Sequence, residues 1–119
     1  MRPIAIAALL ALLLAGCWQS AKEVGRTYYA NGKPKSEATI RNNVLEGHAV
    51  MYYESGNKMS EADYKAGVLH GTSIAYYENG RKKAEAGYKD GVLHGTSTSW
   101  NDKGVVQNTA RFEEGRLAK

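Results

Sequence analysis

From residue 24 onward the chain repeats itself every 24 residues, and the register never slips. The stretch Thr72 to Gly95, TSIAYYENGRKKAEAGYKDGVLHG, is preceded by HAVMYYESGNKMSEADYKAGVLHG (48–71) and VGRTYYANGKPKSEATIRNNVLEG (24–47), and TSTSWNDKGVVQNTARFEEGRLAK (96–119) follows it. Tyr28, Tyr52, Tyr76 and Trp100 are equivalent, as are Gly32, Gly56, Gly80 and Gly104, and Ala38, Ala62, Ala86 and Ala110. A fixed period of roughly 20 to 50 residues marks a repeat array, in which each unit buries apolar surface only by stacking on its neighbours.

The unit itself reads as β-structure. Asn79-Gly80 lies between two alternating runs, and Asn-Gly readily takes the two positive φ angles of a type I′ turn, so a hairpin is expected there. Sister turns fall at Asn31-Gly32, Ser55-Gly56 and Lys103-Gly104. The strand entering the turn alternates Thr72, Ile74, Tyr76 with Ser73, Ala75, Tyr77; the strand leaving it alternates Ala84, Ala86, Tyr88 with Glu85, Gly87, Lys89. That alternation predicts one buried and one solvated face per hairpin. A second bend is expected over Lys89 to Gly95, with Leu93 folded back under the sheet as a plug. The fold class expected is all-β: four tandem hairpin repeats (24–47, 48–71, 72–95, 96–119) in an elongated antiparallel meander. No segment of residues 24–119 shows a convincing period of 3.6.

Residues 1–16 differ in kind. One early cation, Arg2, precedes an unbroken apolar run from Ile4 to Ala15, too short for a membrane-spanning helix of about 20 residues and suited to a signal-peptide core. Leu14-Ala15-Gly16-Cys17 resembles the bacterial lipobox, which implies lipidation of Cys17 after cleavage. Residues 17–23 would then tether the array to a membrane, and more than one acyl chain suffices for stable anchoring. In Gram-negative lipoproteins an aspartate after the cysteine retains the protein at the inner membrane; Trp18 stands there, so the periplasmic face of the outer membrane is the expected location.

The 16 Lys and Arg against 12 Asp and Glu give a net charge of +4, but the charges are interspersed, and no basic patch argues for nucleic acid. The single cysteine excludes an internal disulfide.

The pattern carried by Tyr76, Tyr77, Glu78, Gly80, Glu85, Tyr88, Gly91 and Gly95 resembles the variant MORN repeat of bacterial secreted and lipid-anchored proteins, and it recurs in all four units. The fourth departs from it, with Asn101 for the second tyrosine and Thr109 for the glutamate, as suits a polar unit that ends an array. The first departs too, with Ile40 for a tyrosine and Asn43 for a glycine. Antitoxin-like and immunity proteins are among those the resemblance brings in, which implies a steric block on a toxic effector in the envelope. An envelope scaffold, or a protein contacting lipid or peptidoglycan, is the alternative.

Chemistry is sparsely represented, and no enzyme, cofactor or metal site is expected. His70 and His94 repeat, but Glu46 and Ala118 break their row, which favours neutral turn histidines. The column Glu37, Glu61, Glu85 reads as a solvated ladder with Arg41, Lys65 and Lys89 four residues on. The candidate partner-binding residues are Tyr29, Tyr53 and Tyr77, with Met51 beside them, because alternation sets these rings on the face opposite Tyr28, Tyr52 and Tyr76. Tyrosine covers large contact area at low entropic cost. The partner expected is a protein, with the membrane reached through the lipid; the sequence leaves the oligomeric state open.

Overall fold

The computed structural model describes residues 21–118. The segment expected to be a signal peptide, and Cys17, lie outside the described residues. Nine antiparallel strands follow one another in chain order across a single sheet: β1 (Glu23–Tyr28), β2 (Pro34–Arg41), β3 (Val44–Tyr52), β4 (Lys58–Lys65), β5 (Val68–Tyr76), β6 (Lys82–Lys89), β7 (Val92–Trp100), β8 (Val106–Glu113) and β9 (Arg116–Leu117). The architecture is the all-β meander that the 24-residue period implies.

The turns are allotted differently from the sequence expectation. Asn31 and Asn79 keep ordinary negative φ, and only the glycine after each is left-handed, at 86° for Gly32 and 89° for Gly80. These are three-residue loops: the Gly32 N–H donates to the Tyr29 carbonyl at 2.9 Å, and the Tyr29 N–H to the Lys33 carbonyl at 2.9 Å. The asparagine is used for its side chain, whose Oδ1 accepts the N–H two residues on, at 2.9 Å in both Asn31–Lys33 and Asn79–Arg81. The type I′ turns lie at the opposite edge. There both central residues have positive φ: Asn42 and Asn43 (54° and 63°), Ala66 and Gly67 (50° and 85°), Asp90 and Gly91 (50° and 85°), Glu114 and Gly115 (50° and 81°).

Because a two-residue turn closes at Gly91, the segment from Val92 to Gly95 belongs to a strand and not to a bend. Leu93 is no plug; it pairs with Tyr88 in the ladder. The glycine that follows marks a bulge. Between the pairs Tyr88↔Leu93 and Ala86↔Ser97 one residue on β6 opposes three on β7, and Gly95 absorbs the excess at φ 98°. Gly47 and Gly71 do the same at 120° and 119°.

The largest departure concerns burial. No described residue is fully buried, and neither face of the sheet is covered by a second layer of described residues. The expectation of one buried face per hairpin is therefore corrected: the apolar side chains are at most half-buried against their in-plane neighbours, and several, Tyr28 and Val68 among them, are exposed. Backbone pairing runs from each hairpin straight into the next, so stacking occurs edge to edge within the sheet instead of face to face.

Candidate binding surface

Residues directly opposite in an antiparallel ladder share a face, so the register sorts the side chains into rows that cross all the long strands. One row is Arg26, Glu37, Val50, Glu61, Ile74, Glu85, Thr98, Thr109. Its glutamates enter most of the ion pairs among the described residues. Arg26 meets Glu37 at 3.7 Å, Lys58 meets Glu61 at 3.2 Å and Lys82 meets Glu85 at 2.5 Å. His48 bridges Glu61 at 3.1 Å and Asp63 at 2.8 Å. The solvated ladder pairing each glutamate with the cation four residues downstream is thus corrected. The partners are the residue three upstream, brought alongside by the strand-entry bulge, and the cross-strand neighbour. Glu61 is the most enclosed of the three, its side chain 16% exposed.

That glutamate also accepts the Tyr76 hydroxyl at 2.5 Å. The hydrogen bond from Tyr76, with Lys58 and His48 adding to it, holds the Glu61 carboxyl below its ordinary value despite opposing desolvation. Burial, then the carboxylate itself, pushes the Tyr76 phenol up to about 12.

On the other face two adjacent rows are built of small residues. Gly25, Ala38, Ala49, Ala62, Ser73, Ala86, Ser97 and Ala110 form one, and Thr27, Ser36, Met51, Ser60, Ala75, Ala84, Ser99 and Asn108 the other. Met51, 44% exposed, is the one large side chain on this floor. Beside the first row runs a bulky one containing Ile40, Leu45, Tyr64, Leu69, Tyr88, Leu93, Phe112 and Leu117, paired across the sheet. Two residues beyond Thr27, Met51 and Ala75 come Tyr29, Tyr53 and Tyr77. The result is a trough, with a flat floor of small side chains and an aromatic or aliphatic wall along each side.

The three candidate tyrosines are half-buried, and their hydroxyls are occupied. Tyr29 donates to the Tyr52 carbonyl at 2.5 Å, Tyr53 to the Tyr76 carbonyl at 2.7 Å, and Tyr77 to the Trp100 carbonyl at 2.8 Å. Each tyrosine therefore ties one repeat to the next while its ring still lines the wall. Lys35 and Lys83 sit over the Tyr29 and Tyr77 rings, 5.8 and 5.6 Å from the centroids. These lysines escaped the sequence reading because the bulge at the strand entry turns them onto the trough side, which strict alternation does not foresee. Met59 holds the equivalent position in the second repeat, so the period could have flagged it.

The repeating histidines prove to be strand residues. The His70 ring accepts the Asp90 N–H at 3.2 Å, as the Glu46 carboxylate accepts the Ala66 N–H at 2.7 Å, so this position holds the first residue of the next type I′ turn. Among the described residues no group of three or more His, Cys, Asp or Glu is arranged to hold a metal ion. One surface depression lies at the array's end against His94, Glu113 and Arg116.

The MORN repeat variant family matches residues 24–42, 45–66 and 69–90, more than half of the 119 residues. The chain belongs to that family. The second and third matched units start at Leu45 and Leu69, so each of these is one hairpin bounded by type I′ turns. The match stops at residue 90, and the fourth unit beyond it lacks the motif residues at Asn101 and Thr109. Proteins of this family are typically non-catalytic. A comparison with curated proteins gave no match.

Proposed function

We propose that this MORN array is a protein-binding module held in the cell envelope by a lipid on Cys17, and that it engages its partner through the trough. The observation that carries the reading is the uncovered face itself: small residues on the floor, and Tyr29, Tyr53 and Tyr77 along one wall with their hydroxyls already satisfied. A wall of that kind can meet a partner with ring faces and edges without stranding a polar group. Tyr53 lies six residues from Gly47, the cross-strand partner of Tyr64, so at about 3.3 Å per residue the two walls stand roughly 20 Å apart backbone to backbone, room for one helix or two strands once the side chains are counted. Lys35 and Lys83 bias the tyrosine wall toward acidic occupants.

Within that reading, the lipobox-like motif supports a periplasmic location at the outer membrane, and the family resemblance supports an immunity role, in which a toxic effector is blocked sterically. A photo-reactive residue placed at Met51 tests the surface, with one at Val50 on the opposite face as its control. Crosslinking to an envelope protein from position 51 and not from 50 is the expected outcome. Equal yields from both, or yield from 50 alone, would remove the trough as the binding surface.

A further inference from the structure

The two ends of the array differ. At the C-terminal end β9 folds back on Phe112 and Glu113, and the Ala118 N–H reaches the Arg111 carbonyl at 2.7 Å. The fourth unit has also lost the side chains that reach toward a further repeat, with Asn101 in place of the ladder tyrosine and Thr109 in place of the glutamate. The N-terminal end has no such finish. β1 pairs with β2 alone, so along six residues its outer edge has no strand against it among the described residues.

The array states what such an edge accepts, because every later odd-numbered strand from β3 to β7 meets the same kind of neighbour on that side. Val50 faces Glu37, Ile74 faces Glu61 and Thr98 faces Glu85. Each of those glutamates lies between two small residues: Ser36 and Ala38, Ser60 and Ala62, Ala84 and Ala86. In β1 the position of Val50, Ile74 and Thr98 is held by Arg26, a cation whose side chain is 50% exposed and whose link to Glu37 is long, at 3.7 Å. A guanidinium has five donors, and one distant carboxylate leaves most of them open. The Tyr28 carbonyl, for its part, is the equivalent of the Tyr52, Tyr76 and Trp100 carbonyls that each receive a tyrosine hydroxyl.

We infer that the outer edge of β1 is a strand-addition site for a partner protein: an extended segment that pairs antiparallel to β1 and carries a small–acidic–small triplet. Its acid lies opposite Arg26 and its small residues lie opposite Thr27 and Gly25. The main-chain ladder supplies affinity, and the alternate side chains supply selection. An acid is preferred because Arg26 is the only cation in a row whose other odd-strand members are neutral. A second copy of this chain fits poorly, since its β8 offers Thr109 in place of the acid and its β9 already covers part of that edge. The edge is contacted through the main chain of β1 and through Arg26 on the opposite face from the trough, so either surface can fail without the other.

The probe is a cyclised hairpin peptide copying residues 72–91, whose second strand contains Ala84-Glu85-Ala86. Ring closure removes much of the ordering cost of binding. Saturable binding in fluorescence anisotropy is expected, with slowed amide exchange confined to β1. Arg26→Glu should weaken binding at least tenfold, Arg26→Gln by less, and a peptide with lysine in place of Glu85 should recover affinity for Arg26→Glu. Absence of saturable binding, protection on β8 or across the sheet interior, or indifference to Arg26→Glu would overturn the inference. So would concentration-dependent self-association of the protein alone that Arg26→Glu abolishes, which would make a second copy the occupant.

Discussion

The two faces of this sheet have nearly the same backbone and opposite uses of their side chains. On the ion-paired face, polar groups bond to one another across the rows: Tyr76 to Glu61, Lys58 to Glu61, His48 to Glu61 and Asp63. On the trough face the tyrosines instead send their hydroxyls to backbone carbonyls of the next repeat. The first face uses most of its polar side chains on local neighbours, with Arg26 at the outer strand left the least engaged. The second ties repeats together with hydroxyls at the wall, and its rings and floor remain free for another molecule. In a sheet one layer thick, cohesion and recognition are divided between faces.

Removing Tyr76 should strain this comparison most. Tyr76→Ala loses a half-buried ring and a hydrogen bond to a carboxylate, and the expected cost is about 3 kcal/mol in denaturant unfolding. A loss well under 1 kcal/mol would mean that the ion-paired face contributes little to cohesion.

Tyr77→Ala should cost about 2 kcal/mol and Tyr77→Phe about 1 kcal/mol, the usual worth of one neutral hydrogen bond. If Tyr77→Phe matches wild type while Tyr77→Ala does not, the inter-repeat bond is dispensable and the ring alone matters.

The pH dependence separates the faces further. Because the Glu61 carboxyl is held below its ordinary value of 4.5, its contribution is complete above that pH and is lost as pH falls through the lower folded value. The Tyr76 phenol is raised from 10.0 to about 12, so its contribution is complete below 10.0 and is lost as pH climbs between the two. Melting temperature followed against pH should therefore show both limbs in wild type. In Tyr76→Phe the alkaline limb should lose this contribution and the acid limb should become shallower.

The smallest effect on stability is expected at Met51, where Met51→Ser should change unfolding by no more than about 0.5 kcal/mol, as for surface positions generally. Its partner affinity should nonetheless fall, read by titration once the crosslinked partner is in hand. A large stability loss here would place Met51 in the cohesion of the sheet.

Much of this was legible in the chain. The 24-residue period announced the array, the alternation separated Tyr76 from Tyr77, and the glycine at each hairpin tip marked a left-handed residue. The turn types were not. Asn79-Gly80 and Asp90-Gly91 are both strong type I′ signals, and only the ladder beyond each shows that the first belongs to a three-residue loop. The partners of the glutamates were also hidden, because a bulge at the strand entry brings Lys58 and Lys82 alongside while Lys65 and Lys89 sit at the far end of their strands.

By itself the sequence determined the repeat, its phase and the β-character of each unit, since these depend on neighbours a few residues apart and on the steric needs of glycine. Tertiary structure decided that no described residue covers either face, that the tyrosine hydroxyls cross from one repeat to the next, and that the two edges of the sheet end differently. Those outcomes depend on which strands meet and in what register. Alternation records only that two sets of side chains point in opposite directions, and carries no information on whether anything lies above either set.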